Sequence, residues 1–329
     1  MKVLACPDKF RGSATAPEVA AAIVAGVGDA GGHASAIPLA DGGEGTLDAL
    51  GGPNRTTEVT GPLGEPVTAE WRLRGDVAVV EMARASGLLL AGGADGNDPL
   101  DATTAGTGEL LAAAVEAGAR RIVVGVGGSA TTDGGLGALR AMAPLARFRG
   151  VDVEVACDVR TRFVDAAAVF GPQKGATTAQ VALLGRRLER LADVSRREHG
   201  IDVADVPMSG AAGGLAGGLL AVGARLRPGF EVVADEVELY DHIEEVDLVV
   251  TGEGRLDSTS FDGKVVGGVV AMADAAAVPV VAVVGAVASD TTVPAAVEVL
   301  DLTAAFGLDR SMTDTVSCVR EIVEGRLGD

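Results

Sequence analysis

Short runs of consecutive apolar residues alternate along this chain with stretches of helical periodicity. Lys2-Val3-Leu4-Ala5-Cys6 reads as a short buried strand, followed by a loop from Pro7 to Ala14 and then a helix. Thr15 and Glu18 have capping-box spacing, Pro17 is tolerated in a first helical turn, and Gly31-Gly32 ends the unit. The same strand-loop-helix module recurs where the apolar run within Arg121 to Val126 feeds the loop Gly127 to Gly137, and where Asp247 to Val250 feeds Thr251 to Lys264. A further run, Val278 to Val284, precedes Gly285-Ala286. Continuous apolar strands alternating with helices predict a parallel sheet covered on both faces, with ligands bound beyond the carboxyl ends of its strands.

Between residues 55 and 100 the pattern changes. Thr57 to Thr60, Val67 to Leu73 and Val77 to Met82 read as short strands separated by turns at Gly61-Pro62-Leu63-Gly64 and Arg74-Gly75-Asp76, which predicts antiparallel pairing. That segment opens a second, inserted domain. The expected organisation is α/β in two domains: residues 1–55 with 236–329 forming one, and residues 56–235 an inserted mixed α/β domain. From Thr178 to His199, Val181, Leu184, Leu188, Leu191 and Val194 recur at helical spacing among several arginines. Because Glu189, Asp193 and Glu198 are interleaved with them, a solvated amphipathic helix is favoured over a basic binding helix.

Composition narrows the function. A chain of 329 residues with 48% hydrophobic content buries a large core, and with 3% aromatics that core must be aliphatic. A net charge of −19 argues against nucleic-acid and anionic-membrane partners, so the few basic residues carry the information about any anionic ligand. Cys6, Cys157 and Cys318 are widely separated and lack metal-ligand spacing, which argues against a disulfide scaffold or zinc site and fits a reducing cytoplasm. Asp8, Lys9 and Arg11 interrupt the first apolar run, so no signal peptide is expected. The longest uncharged run, Val206 to Ala224, is too rich in Gly and Ala for a membrane span.

The 47 glycines cluster beside the apolar runs, often with acids. Gly127-Gly128-Ser129-Ala130-Thr131-Thr132-Asp133-Gly134-Gly135 follows a strand and leads into a helix, an arrangement that lets backbone N–H groups meet an anion. It lacks the endings of a P-loop or a dinucleotide loop. Asp41-Gly42-Gly43-Glu44-Gly45 and Thr251-Gly252-Glu253-Gly254-Arg255-Leu256-Asp257 also join carboxylates to glycines after apolar runs. Phosphoryl transfer needs carboxylates to hold Mg²⁺ and to orient or deprotonate a hydroxyl, and cations to neutralise the group in transit. Lys9, Lys174 and Lys264 lie in such glycine-containing loops. Gly210 to Gly218 carries no reactive side chain and suits either a close backbone crossing or a floor for adenine or phosphate. The three histidines form no nucleophile-base-acid arrangement.

In order, PDKFRGSATAPEVA, ADGGEGTLDAL, VTGPLGEPV, EMARASGLLL, the stretch from Thr103 to Gly135, VACDV, FGPQKGA, GAAGGLAGGLLA and VVTGEGRLDSTSFDGKVVGGV resemble the type I glycerate kinase family across residues 7 to 268. The resemblance implies a Rossmann-like parallel domain plus a mixed α/β domain, a cleft holding the active site, and ATP- and Mg²⁺-dependent phosphorylation of D-glycerate, most often to 2-phosphoglycerate. Carried onto this chain, it marks Asp8, Lys9, Asp41, Glu44, Ser129, Asp133, Asp158, Lys174, Glu253, Asp257 and Lys264. Loop chemistry assigns the expected roles. Asp133 is the first choice of general base, with Asp41, Lys174 and Lys264 also catalytic. Gly127, Gly128, Ser129, Gly213, Gly214 and Lys9 bind the nucleotide. Asp41, Glu253 and Asp257 hold the metal, and Asp8, Glu44 and Asp158 address the substrate. A monomer or homodimer is expected. Two departures stand out: Leu139 to Val151 is compressed, and Arg160 to Val169 replaces an Asn- and Gly-containing stretch. They leave open a kinase for another small hydroxy acid, or a non-catalytic ligand-binding relative.

Overall fold

A computed structural model describes residues 1–261 and 263–328; Asp262, beside Gly263 and Lys264, lies outside them. The chain divides into two units. The first comprises Met1–Asp41, Asp48–Leu50 and Val233–Asp329, and the second Gly42–Leu47 and Gly51–Val232. The strands, in chain order, are β1 Lys2–Ala5, β2 His33–Ala36, β3 Arg55–Thr60, β4 Pro66–Arg74, β5 Val77–Glu81 and β6 Arg121–Gly125. They continue with β7 Asp152–Cys157, β8 Arg225–Pro228, β9 Leu248–Leu256, β10 Val280–Val287 and β11 Val297–Asp301.

In the first unit the apolar runs form a five-stranded, wholly parallel sheet of order β11-β10-β9-β1-β2. Val3, Val250 and Val283 pack on one face with Val19 and Ile23 of the helix Ala16–Asp29 and Val319 of the helix Thr315–Gly328. Ala282 and Val284 pack on the other with Val266 of the helix Val265–Ala275. The first helix begins where its sequence predicts: Glu18 N–H donates to Thr15 Oγ1 at 3.4 Å and Thr15 N–H donates to Glu18 Oε2 at 2.8 Å, satisfying two otherwise orphaned amides. From β1 the sheet grows outward to β2 on one side and through β9, β10 and β11 on the other. The chain therefore leaves the carboxyl ends of β1 and β9 in opposite directions, and such a switch point opens a crevice for ligands.

The second unit holds a six-stranded sheet of order β3-β4-β5-β6-β7-β8. The three strands anticipated between residues 57 and 82 are present; β3, β4 and β5 pair antiparallel, and β5 to β8 pair parallel. Trp71, Leu110, Leu111, Ile122, Val124, Met142, Val155 and Leu219 belong to its aliphatic core. The buried Trp71 indole N–H donates to Thr57 Oγ1 at 2.9 Å, as a buried indole requires. The helix Thr178–Glu198 buries Leu184, Leu188 and Ala192 while Arg186, Arg187, Arg190, Arg196 and Arg197 remain exposed, the expected solvated amphipathic helix.

The compressed link from β6 to β7 passes through a short helix, Leu136–Ala141, and a 3-10 turn, Leu145–Phe148. It ends where Asp152 N–H donates to Arg120 O at 2.8 Å, beside the amino end of β6. A cavity of about 50 Å³ lies under it, lined by residues including Met142, Leu145, Phe148, Val153, Leu219 and Ala224. Among the described residues no helix is long and apolar enough to cross a membrane.

Candidate active site

In the first unit, the switch point gathers six of the anticipated residues. Asp8 follows β1, and its N–H donates to Gly252 O on β9 at 2.8 Å, fixing the loop to the neighbouring strand. Lys9 Nζ lies 3.5 Å from Asp8 Oδ1 and 3.7 Å from Asp41 Oδ1, so one ammonium serves two carboxylates. All three are largely shielded from solvent. Burial raises Asp8 to about 6; Lys9 lowers it and the Asp41 charge raises it. Burial works against the Lys9 charge, yet Asp8 and Asp41 together carry its pKa above the ordinary lysine value.

Glu253, on β9, is pushed up to about 7, chiefly by burial and further by Asp8 and Asp257, against the pull of Ser260 and Lys264. Its Oε1 is buried and has no hydrogen-bond partner among the described residues. Asp257 is held differently. Its Oδ1 accepts from Thr259 Oγ1 at 2.7 Å and Thr259 N at 2.8 Å, and these bonds keep its carboxyl below the usual range. Lys264 stands at the N-cap position of the helix Val265–Ala275 without a side-chain capping bond, and its charge acts on both acids.

In the second unit the Gly127 to Gly135 loop leaves the carboxyl end of β6. Gly128 has φ +69°, a left-handed turn that suits glycine. The N–H groups of Gly127, Gly128 and Ser129 donate to no acceptor among the described residues. Asp133 closes the loop. Its Oδ2 accepts from Thr104 Oγ1 at 2.8 Å, Thr104 N at 2.9 Å and Gly137 N at 3.1 Å, and its Oδ1 accepts from Gly135 N at 3.0 Å. Thr104 Oγ1 is oriented in turn as acceptor from Ala138 N at 2.9 Å. The acid thus clasps the loop to the amino end of the helix Ala105–Glu116 and to the helix after it.

Lys174 is 2% exposed and lies behind the loop. Its Nζ donates to Ser129 Oγ at 2.7 Å and Thr131 O at 2.6 Å, and Asn97 Nδ2 donates to Ala130 O at 3.1 Å and Lys174 O at 2.9 Å. Ala212, Gly213 and Gly214 are successive left-handed residues that cross the loop's far side. A Cβ on Gly213 would fall 2.0 Å from Thr131 O, and Gly134 N–H donates to Gly213 O at 3.1 Å, so this segment packs as a close backbone crossing. Gly127 also packs closely, a Cβ there falling 2.6 Å from Gly43 Cα, next to the exposed Glu44. Asp158 stands exposed just after β7. Sequence reasoning missed Thr104 and Asn97. Thr104 had a signal, since it precedes a helix in a quoted motif, whereas Asn97 in Asp95-Gly96-Asn97-Asp98 reads as a turn.

The glycerate kinase family model matches residues 3–144 and 142–325. The chain belongs to the glycerate kinase family. It is an enzyme, a kinase. This glycerate kinase family member is 40% identical to a glycerate 2-kinase of Escherichia coli K12 over 89% of this chain and 87% of that protein. It is also 40% identical to a glycerate kinase of Bacillus subtilis 168 over 88% of this chain and 86% of that one. A crystal structure provisionally assigned as glycerate kinase 2 from Salmonella typhimurium LT2 superposes with a TM-score of 0.86 at 36% identity, covering 99% of this chain and 97% of that one. The two matched segments meet at residues 142–144, inside the compressed link. That link returns to the amino end of the second sheet, opposite the Gly127 loop. The replaced stretch Arg160 to Val169, by contrast, follows the carboxyl end of β7.

Proposed function

We propose that this protein transfers the γ-phosphate of ATP to D-glycerate, giving 2-phosphoglycerate. The observation that carries ATP use is the row of open N–H donors at Gly127, Gly128 and Ser129, a cradle for phosphate oxygens beyond the carboxyl end of a buried strand. The 2-hydroxyl is favoured by the similarity to the Escherichia coli glycerate 2-kinase.

Among the described residues, no group of three or more His, Cys, Asp or Glu is placed to hold a metal ion. Kinase Mg²⁺ needs only one or two carboxylates, because substrate phosphates and water complete its shell. The Glu253 Oε1 without a donor fits that demand, with Asp41 or Asp257 as the second carboxylate. Bound there, Mg²⁺ would neutralise phosphate charge. Of the carboxylates able to receive the hydroxyl proton, Asp8 suits the task better than Asp133. The oxygens of Asp133 are held by four donors, while Asp8 stands at the switch point with Lys9 steadying its ionised form. Lys9 and Lys264 offset the negative charge of glycerate and of the phosphoryl group in transit. Glu44 and Asp158 hydrogen-bond acceptor hydroxyls.

Purified protein given ATP, Mg²⁺ and D-glycerate should release ADP, and a phosphorus NMR spectrum should show 2-phosphoglycerate. ADP release without that product would overturn the regiochemistry, and no ADP release would overturn the reading. A second reading, a different small hydroxy acid as acceptor, draws on Arg160 to Val169 at the carboxyl end of β7. Comparing kcat/KM across hydroxy acids decides between them.

A further inference from the structure

Lys174 is charged in the ordinary lysine, buried here, and cannot reach a ligand with its amine turned to Ser129 and Thr131. Once protonated, the lysine carries three donors and no acceptor, so in that form the bond to Ser129 must run from nitrogen to oxygen. Ser129 Oγ is consequently an acceptor from below, and its own proton is left to donate elsewhere. Ser129 is 8% exposed and its N–H lies in the row of open donors. Lys174 therefore sets the polarity of a hydroxyl at the rim of the phosphate cradle without touching what the cradle holds. Two tethers keep it there. Asn97 binds both Lys174 O and Ala130 O, tying the lysine's backbone to the loop that its side chain supports. The Phe170 ring lies 5.9 Å from Nζ.

On the reading that the cradle binds the ATP phosphates, we infer that Lys174 is a positioning residue that turns the Ser129 hydroxyl toward the nucleotide, and that nucleotide binding draws a proton onto the Lys174 amine. Desolvation lowers the amine to about 7, with Asp133 opposing the change. In the short helix Gly93–Gly96 the acid Asp95 is exposed, and the helix Ala166–Phe170 has no charged residue and sets the Phe170 ring beside the amine. A phosphate chain bound at Ser129 adds negative charge beside the amine and favours its protonated form. Proton uptake on binding follows, and affinity falls as pH rises above about 7.

The test is calorimetric titration of the full-length protein with a non-hydrolysable ATP analogue at pH 7.5, in two buffers of different ionisation enthalpy. The wild type should take up as much as about three-quarters of a proton. Ser129→Ala should bind roughly tenfold more weakly and still take up the proton, because the amine remains in place. Lys174→Met should bind at least as weakly and take up none. In turnover assays both variants should raise KM for ATP more than KM for glycerate. A thermal scan confirms that each is folded, and Ser129→Ala, which removes one hydroxyl, serves if Lys174→Met is not. Wild-type affinity in Ser129→Ala, or wild-type proton uptake in Lys174→Met, overturns the inference while leaving the kinase reading intact. No analogue binding by the wild type overturns ATP use itself, and the inference with it.

Discussion

Asp133→Asn separates a clasp from a base. The substitution keeps one oxygen. Placed at the Oδ2 position, that oxygen retains Thr104 N, Thr104 Oγ1 and Gly137 N, but the buried Gly135 N–H then faces an amide NH₂. The flipped amide loses three bonds instead of one. In the better orientation the protein forfeits a hydrogen bond to a charged acceptor and leaves a buried donor unsatisfied, together about 3 kcal/mol. For a unit of this size that lowers the melting temperature by roughly 6–12 °C. Trp71 is the chain's single tryptophan, 3% exposed in the same unit, so its fluorescence during heating or urea titration reports the change directly. A variant that melts within about 1 °C of the wild type and has lost kcat would refute the clasp and return Asp133 to the role of base.

Three further outcomes follow from other residues. Gly213→Ala places a Cβ 2.0 Å from Thr131 O at a φ of +65°, so it should destabilise the second unit by about 3 kcal/mol or more, and a melting temperature near wild type would contradict the crossing. Lys9 lowers the Asp8 pKa, so Lys9→Met should move the acid limb of kcat/KM upward from about 6, and a limb that stays in place would remove Asp8 from the base role. Glu253, raised from the usual 4.5 to about 7, binds its proton more tightly folded than unfolded, which costs stability as pH rises between those values. Glu253→Gln, melted in EDTA, should gain up to about 3 kcal/mol at pH 8 and nothing below pH 4.5 while losing turnover, and a gain independent of pH would refute the cause.

What the sequence showed and what it hid divide along physical lines. Arg121 to Val126 and Asp247 to Val250 were legible as strands because both faces of a central parallel strand are buried, which forces a continuous apolar run. The box at Thr15 and Glu18 was legible because capping is local. His33–Ala36, Arg225–Pro228 and Val297–Asp301 were not read as strands. They lie at sheet edges, where short and polar sequences suffice, and Arg225-Leu226-Arg227-Pro228 carries no strand pattern at all. At the site, the glycine and acid loops were visible as motifs because loops at strand ends keep their chemistry contiguous. The partners of those loops were not. Burial of Lys174 depends on Asn97 and Ser129, which are distant in sequence, so its motif marked the lysine as a catalytic cation but could not show that its amine turns inward. The four donors around Asp133 include two from Thr104, 29 residues away, so a carboxylate that looked catalytic by type is engaged structurally by geometry.

The compressed link from Leu139 to Val151 closes at the amino end of the second sheet, while the Gly127 loop leaves the carboxyl end. Length at that turn is therefore free of the demands of phosphoryl chemistry, which is how a chain can lose residues there and keep its reaction. The turn is a port for engineering. A reporter peptide spliced between Arg149 and Val151, where Gly150 adopts φ +77° with open space around it, would ride on the enzyme without entering its catalytic end.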